Sequence, residues 1–94
     1  MYNGWKNYET WATALWLDNE EGSYTEARSI VAEARDGSDT PDSDAADALK
    51  EWAEELWLDP ITEGNAAGLV IDLLRGAWSE IDWHEVQAHY VDDE

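Results

Sequence analysis

Apolar residues recur at helical spacing throughout this chain, and that periodicity restricts what it can fold into. In the first segment Tyr8, Trp11, Ala12, Leu15 and Trp16 fall at i, i+3, i+4, i+7 and i+8, which is one face of a helix. No run alternates with period two for long enough to predict a strand. The predicted fold class is therefore all-α, a compact single domain of four to five short helices covering residues 1–94.

Capping residues and helix breakers set the boundaries of the first two helices. Asn7 is the predicted N-cap of the first helix, and Gly22 is its predicted end. Ser23 and Glu26 form a capping-box pattern that opens the second helix, which Gly37 ends. The apolar positions predicted to face inward from the second helix are Ala27, Ile30, Val31 and Ala34.

The second half of the chain contains three more predicted helices. Thr40-Pro41 supplies an N-cap and first residue for the third helix, and Asp59-Pro60 terminates it. Asn65 caps the fourth, which ends at Gly76, and the capping box "DWHE" opens the fifth. The predicted interior residues are Ala45, Leu49, Trp52, Ala53, Leu56 and Trp57, then Ala66, Leu69, Val70, Leu73 and Leu74, then Trp83, Val86 and Tyr90.

The opening stretch "WKNYETW" places three aromatic rings within seven residues. Because they share one helical stripe, four side chains are predicted to be core: Tyr8, Trp11, Leu15 and Trp16. Tyr2 and Trp5 precede the cap and are expected to hold the N-terminus against the other helices. Trp5 alone is a candidate for an exposed aromatic contact with a partner.

The charge of the chain is its most unusual property. Twenty-three Asp and Glu against five Lys and Arg give a formal net charge of −18. A compact chain of this length is roughly 32 Å across, and a DNA duplex of that length carries roughly 19 charges. Such acidity argues against nucleic acid or an anionic membrane as a direct partner. Arg28 and Arg35 are expected to form surface ion pairs.

Motifs for catalysis or metal binding are weak. His84 and His89 in "HEVQAH" are five apart and diverge by roughly 140° around a helix, which does not suit a shared metal. The loop acids lack the Gly and the final Glu of a calcium-binding EF-hand; they are Asp36, Asp39, Asp42, Asp44 and Asp47. The chain has no cysteine. We expect no cofactor, no metal and no enzymatic activity, and no signal peptide is evident.

The third helix concentrates acid on the side opposite its apolar stripe. Neighbouring carboxylates at three- and four-residue spacing lie about 5–6 Å apart, which roughly matches the spacing of phosphates along a DNA strand. A solvated face is the ordinary explanation of such a row. The candidate contact set is Asp39, Asp42, Asp44, Asp47, Glu51, Glu54 and Glu55, with Asp18, Glu20 and Glu21 as a second group.

The segment "NGWKNYETWATALWLDNEEGSY" resembles the opening of small uncharacterised phage and mobile-element proteins with an Asn-Tyr-Glu-Thr-Trp signature. In size, helical content and acidity the chain also resembles the anti-CRISPR and anti-restriction inhibitors that act as DNA mimics. That second resemblance implies an inhibitor in the host cytoplasm, a monomer or small homo-oligomer. Its expected partner is the DNA-binding subunit of a CRISPR surveillance complex or a restriction enzyme.

A second hypothesis explains the acid differently. Acidic residues occur on every predicted helix and lysine is scarce, as expected of a protein-interaction domain adapted to high salt. Such a domain needs molar salt to screen its self-repulsion, whereas a DNA mimic is folded in ordinary buffer and loses its partner as salt rises.

Overall fold

The helices that the spacing predicts are present in the computed structural model, which describes residues 2–64 and 67–91. Within those ranges the backbone contains no strand, so the all-α prediction is confirmed. The elements are α1 (Tyr8–Asn19), α2 (Glu21–Arg35), α3 (Pro41–Ala53), a π-helical turn (Glu54–Leu58), α4 (Asp59–Thr62), α5 (Gly68–Ser79) and α6 (Trp83–His89). Because α3, the π-turn and α4 follow one another without a break, they form one long helical segment.

Helix α1 begins where it was predicted to begin. The Asn7 side chain accepts hydrogen bonds from the Thr10 backbone N–H (2.9 Å) and the Thr10 hydroxyl (2.6 Å). The predicted boundary at Gly22 is wrong. A single extended residue, Glu20, separates α1 from α2, so Gly22 lies inside α2. The predicted capping box at Ser23 is wrong for the same reason, because Ser23 is also inside the helix.

The buried face of α1 is the reverse of the prediction. Tyr8 and Trp16 are 54% and 60% exposed, Leu15 is exposed and Trp11 is half-buried. The buried residues are Thr10, Thr13, Ala14 and Leu17. These residues have the same helical spacing, and three of them, Thr10, Thr13 and Ala14, are small. The two hydroxyls have partners: that of Thr13 donates to the Glu9 carbonyl (2.8 Å). Small residues let a helix approach its neighbours closely, and that outweighed hydrophobicity here.

The core lies between α2, α3 and α6. Ala27 and Val31 of α2 are buried, with Ile30 and Ala34 half-buried, which confirms the stripe predicted for that helix. On α3, Ala45, Leu49 and Ala53 are buried and Trp52 is half-buried, also as predicted. Trp57 in the π-turn is half-buried as well, but Leu56 beside it is exposed.

Proline does not end the third helical segment. The prediction that Asp59-Pro60 terminates it is wrong, because helical structure continues to Thr62. In the π-turn just before Pro60, the Asp59 N–H donates to the Glu54 carbonyl, five residues back. That wider turn displaces the carbonyl that a proline ring ordinarily strikes, so the chain continues in a helix. Thr40 and Pro41 do stand at the N-cap and first position of α3, as predicted.

Helix α6 closes the core and is joined to α1 at its N-terminus. Trp83, Val86 and Tyr90 are buried as predicted. The Asp82 carboxylate caps the helix by accepting from the Glu85 N–H (3.1 Å). In a capping box the Glu85 carboxylate would accept from the Asp82 N–H. Here the Asp82 N–H donates instead to the Thr10 hydroxyl (2.9 Å), and the Glu85 carboxylate accepts from the Lys6 N–H (3.0 Å).

The N-terminal residues form a tight turn against α1 and α6. Tyr2 and Trp5 exchange two backbone hydrogen bonds of 2.7 Å, and Asn3 and Gly4 between them have φ of 48° and 88°. Asn-Gly suits such a turn because both positions need positive φ. The Tyr2 ring lies 4.9 Å from that of Trp11, and the Trp5 ring 5.3 Å from that of His89. The predicted packing of this segment onto other helices is confirmed.

Helix α5 lies outside the core. The prediction that Leu69, Val70 and Leu73 face inward is wrong, because all three are exposed. The helix also passes through Gly76 and ends at Ser79. Asn65 and Ala66, the predicted cap and first interior residue, lie outside the described residues. Of the helices the structure describes, none is both long enough and apolar enough to span a bilayer.

We predict opposite effects for adjacent substitutions on α1. Leu17→Ala removes a fully buried side chain and should lower the free energy of unfolding by about 2–5 kcal/mol. Trp16→Ala, one residue away, should change it by no more than about 1 kcal/mol. Urea denaturation monitored by circular dichroism measures both. A larger loss for Trp16→Ala would contradict the orientation of α1 described here.

Candidate acidic interface

Four exposed carboxylates form a row along the outer side of α3 and the π-turn, and we call this row the acidic ridge. Its members are Asp44, Asp47, Glu51 and Glu55. The row lies opposite Ala45, Leu49 and Ala53, so the packing of the core turns it towards solvent. Within the described ranges no Lys, Arg or His lies within salt-bridge distance of any of the four. Asp44 accepts hydrogen bonds from the hydroxyls of Ser38 (2.5 Å) and Thr40 (3.3 Å), which leave its charge in place.

Two other predicted contact residues on this segment have structural roles instead. Asp42 binds the Arg35 guanidinium at 2.6 Å and accepts from the Gln87 side chain at 3.4 Å. The hydrogen bond from Arg35 lowers the pKa of Asp42 below its ordinary value. Glu54 is half-buried and accepts from the Trp78 indole N–H at 3.2 Å. Asp39 is exposed in the turn before α3, near the start of the ridge.

The second predicted group, Asp18, Glu20 and Glu21, likewise contains one acid with a structural role and two acids exposed at the surface. Asp18 accepts from the Tyr90 hydroxyl at 2.7 Å and lies 2.7 Å from Nε2 of His89, so it links α1 to α6. Burial, together with this hydrogen bond to Asp18, raises the pKa of the Tyr90 hydroxyl. Glu20 and Glu21 are exposed where α1 passes into α2. Asp18 therefore stabilises the fold, and the other two remain surface acids.

An apolar groove of about 310 Å³ runs beside the C-terminal half of the ridge. Glu51 and Glu55 stand at its edge, and its other lining residues are Ile30, Ala48 and Trp52. Lysine and arginine side chains bury their methylene stems on apolar surface while their charged ends remain in polar surroundings. A tryptophan beside two carboxylates therefore suits a Lys or Arg of a protein partner, with cation–π attraction adding to the ion pair.

The residues considered for metal binding do not come together. His89 pairs with Asp18, and its ring also lies 4.9 Å from that of Tyr90. Over residues 2–64 and 67–91 no three His, Asp or Glu side chains are grouped closely enough to hold a metal ion. The two arginines of α2 have different surroundings: Arg35 joins Asp42, and Arg28 donates to the Tyr24 hydroxyl at 3.1 Å.

The sequence prediction missed an aromatic surface. Tyr8, Trp11, Leu15 and Trp16 were assigned to the core, but they form the outer side of α1. Trp16 also borders a groove of about 360 Å³ between α1 and α4, together with Ala12, Thr13, Glu20, Trp57 and Ile61. The sequence does contain a second stripe on α1, in which Thr10, Thr13 and Ala14 share one face, but spacing alone does not decide which stripe is buried.

Fold and surface together define a small, strongly acidic, all-α protein whose candidate site is a row of carboxylates beside an apolar groove. The chain belongs to a family of unknown function, DUF7249, whose model matches residues 1–93. No curated protein and no solved structure matches the chain.

The two kinds of acid on α3 should respond differently to pH. Asp42→Asn should lower the thermal midpoint at neutral pH, because it weakens the pair with Arg35. Folding lowers the pKa of Asp42 from its ordinary value of 3.8. The stability that the ionised Asp42 contributes is therefore complete above pH 3.8, and it is lost as the pH falls through the lower pKa of the folded state. The midpoints of this variant and the wild type should therefore converge in acid.

Asp47→Asn is the matched control, since it removes one charge from the ridge without removing an ion pair. It should leave the neutral-pH midpoint unchanged or raise it, because like charges at helical spacing repel. Thermal melts followed by circular dichroism over a pH series from neutral to about 2 compare the three proteins. Equal losses for both variants at neutral pH would contradict the distinction between paired and unpaired acids.

Proposed function

We propose that this protein is a non-enzymatic inhibitor that acts as a DNA mimic, with the acidic ridge as its contact surface. The observation that carries this proposal is the row of four exposed carboxylates along α3 and the π-turn, which have no cationic partner among the residues that the structure describes. Holding like charges in a row costs stability. The same chain neutralises Asp42 internally through Arg35, so a row without such partners favours a function outside the molecule.

The charge density of the ridge supports mimicry of a DNA strand. Asp44 and Glu55 are eleven residues apart, which is roughly 16 Å at the rise of a helix. One strand of a duplex carries one phosphate per about 3.4 Å, or about five over that length. The ridge places four carboxylates there, with neighbours about 5–6 Å apart. A surface lined with Lys and Arg that binds a DNA strand would therefore meet a similar density of negative charge on the acidic ridge.

The partner of such a surface is a protein with a cationic DNA channel. Following the resemblance to phage-encoded inhibitors, the proposed target is the DNA-binding subunit of a CRISPR surveillance complex or a restriction enzyme in the host cytoplasm. The net charge of −18 attracts that channel over long range and speeds encounter. The groove beside Trp52 then receives one cationic side chain of the target, which fixes the position of the ridge.

Reversing the ridge should abolish inhibition. The variant Asp47→Lys, Glu51→Lys, Glu55→Lys should weaken inhibition of target DNA binding by about 100-fold or more, since each attraction becomes a repulsion. Glu54 is left intact because it holds Trp78. Electrophoretic mobility shift of labelled duplex with the purified target measures the concentration of protein that releases the DNA.

The matched control reverses three exposed acids elsewhere: Glu26→Lys, Glu33→Lys, Asp36→Lys on and beside α2. Its net charge equals that of the ridge variant, so a general loss of acidity affects both. We expect it to retain inhibition within about tenfold, because only long-range steering is reduced. Full potency in the ridge variant, with helical circular dichroism preserved, would exclude this surface as the contact.

The salt-adaptation hypothesis and DNA mimicry predict different effects of salt on the folding of the protein. Acids also cover the outer side of α2, at Glu26 and Glu33, where the proposed contact does not need them. If the acidity serves adaptation to salt, the protein should unfold in dilute buffer and fold as salt approaches about 1 M. A DNA mimic should instead show full helical circular dichroism in dilute buffer, and its complex should weaken as salt rises.

A further inference from the structure

The groove between α1 and α4 has walls that are almost entirely apolar, and its volume is about 360 Å³. Ala12, Trp16 and Glu20 follow one another at four-residue spacing, so they line one side of α1 up to its C-terminal cap. Trp57 and Ile61, also four residues apart, line the groove from the other helical segment. A concave apolar site of this size with very few polar groups is the usual form of a small-molecule site.

Two tryptophans border this groove, one from each helical segment. Trp57 lies in the π-turn, packs against the core and still lines the groove, so the core holds it in place. Trp16 is 60% exposed, although it is one of the largest apolar side chains of α1. Single π-helical turns occur frequently at functional sites. Tryptophan is also the side chain whose ring face attracts cations most strongly, so the groove offers two such rings to one ligand.

The charge of the groove selects a cation as its ligand. Among the lining residues that the structure describes, Glu20 alone is charged. Over residues 2–64 and 67–91 no Lys, Arg or His lies within salt-bridge distance of its carboxylate. The hydroxyl of Thr13, the other polar side chain of the lining, donates within α1 to the Glu9 carbonyl. In a chain of net charge −18 such a groove repels anions and attracts cations.

We propose that this groove binds a small organic cation in which a quaternary ammonium group is joined to an apolar body. A primary ammonium has three N–H donors and a guanidinium has five. One carboxylate among apolar walls leaves most of those donors without a protein partner, which costs binding free energy. A quaternary ammonium has no donor, and its methyl groups pack directly on indole rings. The apolar body of the ligand then lies against Ala12 and Ile61.

Titration with benzyltrimethylammonium, followed by NMR of the tryptophan indole N–H groups, tests the proposal. The ligand replaces sodium at a constant ionic strength of about 0.15 M, so that general screening does not change. We expect a dissociation constant on the order of 1 mM. Of the seven indole signals, those of Trp16 and Trp57 should shift most. Largest shifts at Trp52, which lines the groove beside the acidic ridge, or equal shifts at all seven would overturn the proposal.

Matched pairs of ligands separate charge, methylation and apolar area. Choline should bind at least about fivefold more tightly than 3,3-dimethyl-1-butanol, which has the same shape without the charge. Butyltrimethylammonium should bind more tightly than butylammonium, which carries the head group of lysine. Benzyltrimethylammonium should bind about tenfold more tightly than tetramethylammonium, which has no apolar body. Equal binding within any pair would contradict the assigned ligand class, and tighter binding of a trimethyllysine peptide would assign the groove to a modified protein instead.

Two neighbouring acids provide matched variants. Glu20→Gln removes the carboxylate of the groove and should weaken binding of benzyltrimethylammonium by about fivefold, and it removes no helix cap because the Glu20 side chain makes no capping hydrogen bond. Glu21→Gln removes the same charge one residue outside the lining and should leave binding within about twofold of wild type. Trp16→Ala should weaken binding by about tenfold with helical circular dichroism preserved. Equal effects of Glu20→Gln and Glu21→Gln would overturn the proposal.

This proposal does not rest on the proposed function, and the two fail separately. The ridge variant leaves every lining residue of this groove intact, so it should bind benzyltrimethylammonium within about threefold of wild type at about 0.15 M salt. Trp16→Ala leaves the acidic ridge intact and should retain inhibition of target DNA binding.

Discussion

The packing of α3 against α2 and α6 is the interaction on which the rest of the structure depends. Ala45, Leu49 and Ala53 are buried, and the helix makes its most extensive contacts with those two neighbours. A helix has two sides, so burying this one turns Asp44 and Glu51 outward. The acidic ridge is therefore a consequence of the core, and a change that rotated α3 would disperse it.

The remaining elements are attached to that core mainly by polar contacts, several of which use the acids themselves. The Arg35 guanidinium at the end of α2 pairs with the Asp42 carboxylate of α3. The Tyr90 hydroxyl donates to the Asp18 carboxylate of α1. The backbone N–H of Asp82, at the start of α6, donates to the Thr10 hydroxyl of α1. Hydrogen bonds to a charged group are roughly twice as strong as neutral ones, so these contacts offset part of the repulsion between the acids. A chain of this charge can thus fold around a small core, and the acids left unpaired are the ones available to a partner.

Much of the fold could be predicted from the sequence, because caps and apolar stripes are local signals. Asn7, Asp82 and Thr40-Pro41 stand where the capping rules place them, and the interior faces of α2, α3 and α6 follow the apolar spacing. The faces of α1 and α5 could not be predicted, since each has two stripes of helical spacing and only the neighbouring helices decide between them. The same holds within the acidic site: the sequence places Asp42 and Asp47 in one row, but the position of Arg35 and Gln87 separates them.

We propose that the ridge occupies a surface meant for duplex DNA, and competition with duplex DNA is the direct test of that proposal. The wild-type protein, immobilised in about 0.1 M salt, would be incubated with lysate of a bacterium with active CRISPR and restriction systems. Its ridge variant would serve as the matched bait. We expect a nuclease or surveillance subunit to be retained by the wild type alone and to be released by excess duplex DNA. Retention of such a subunit equally by both baits, or without release by duplex DNA, would contradict it.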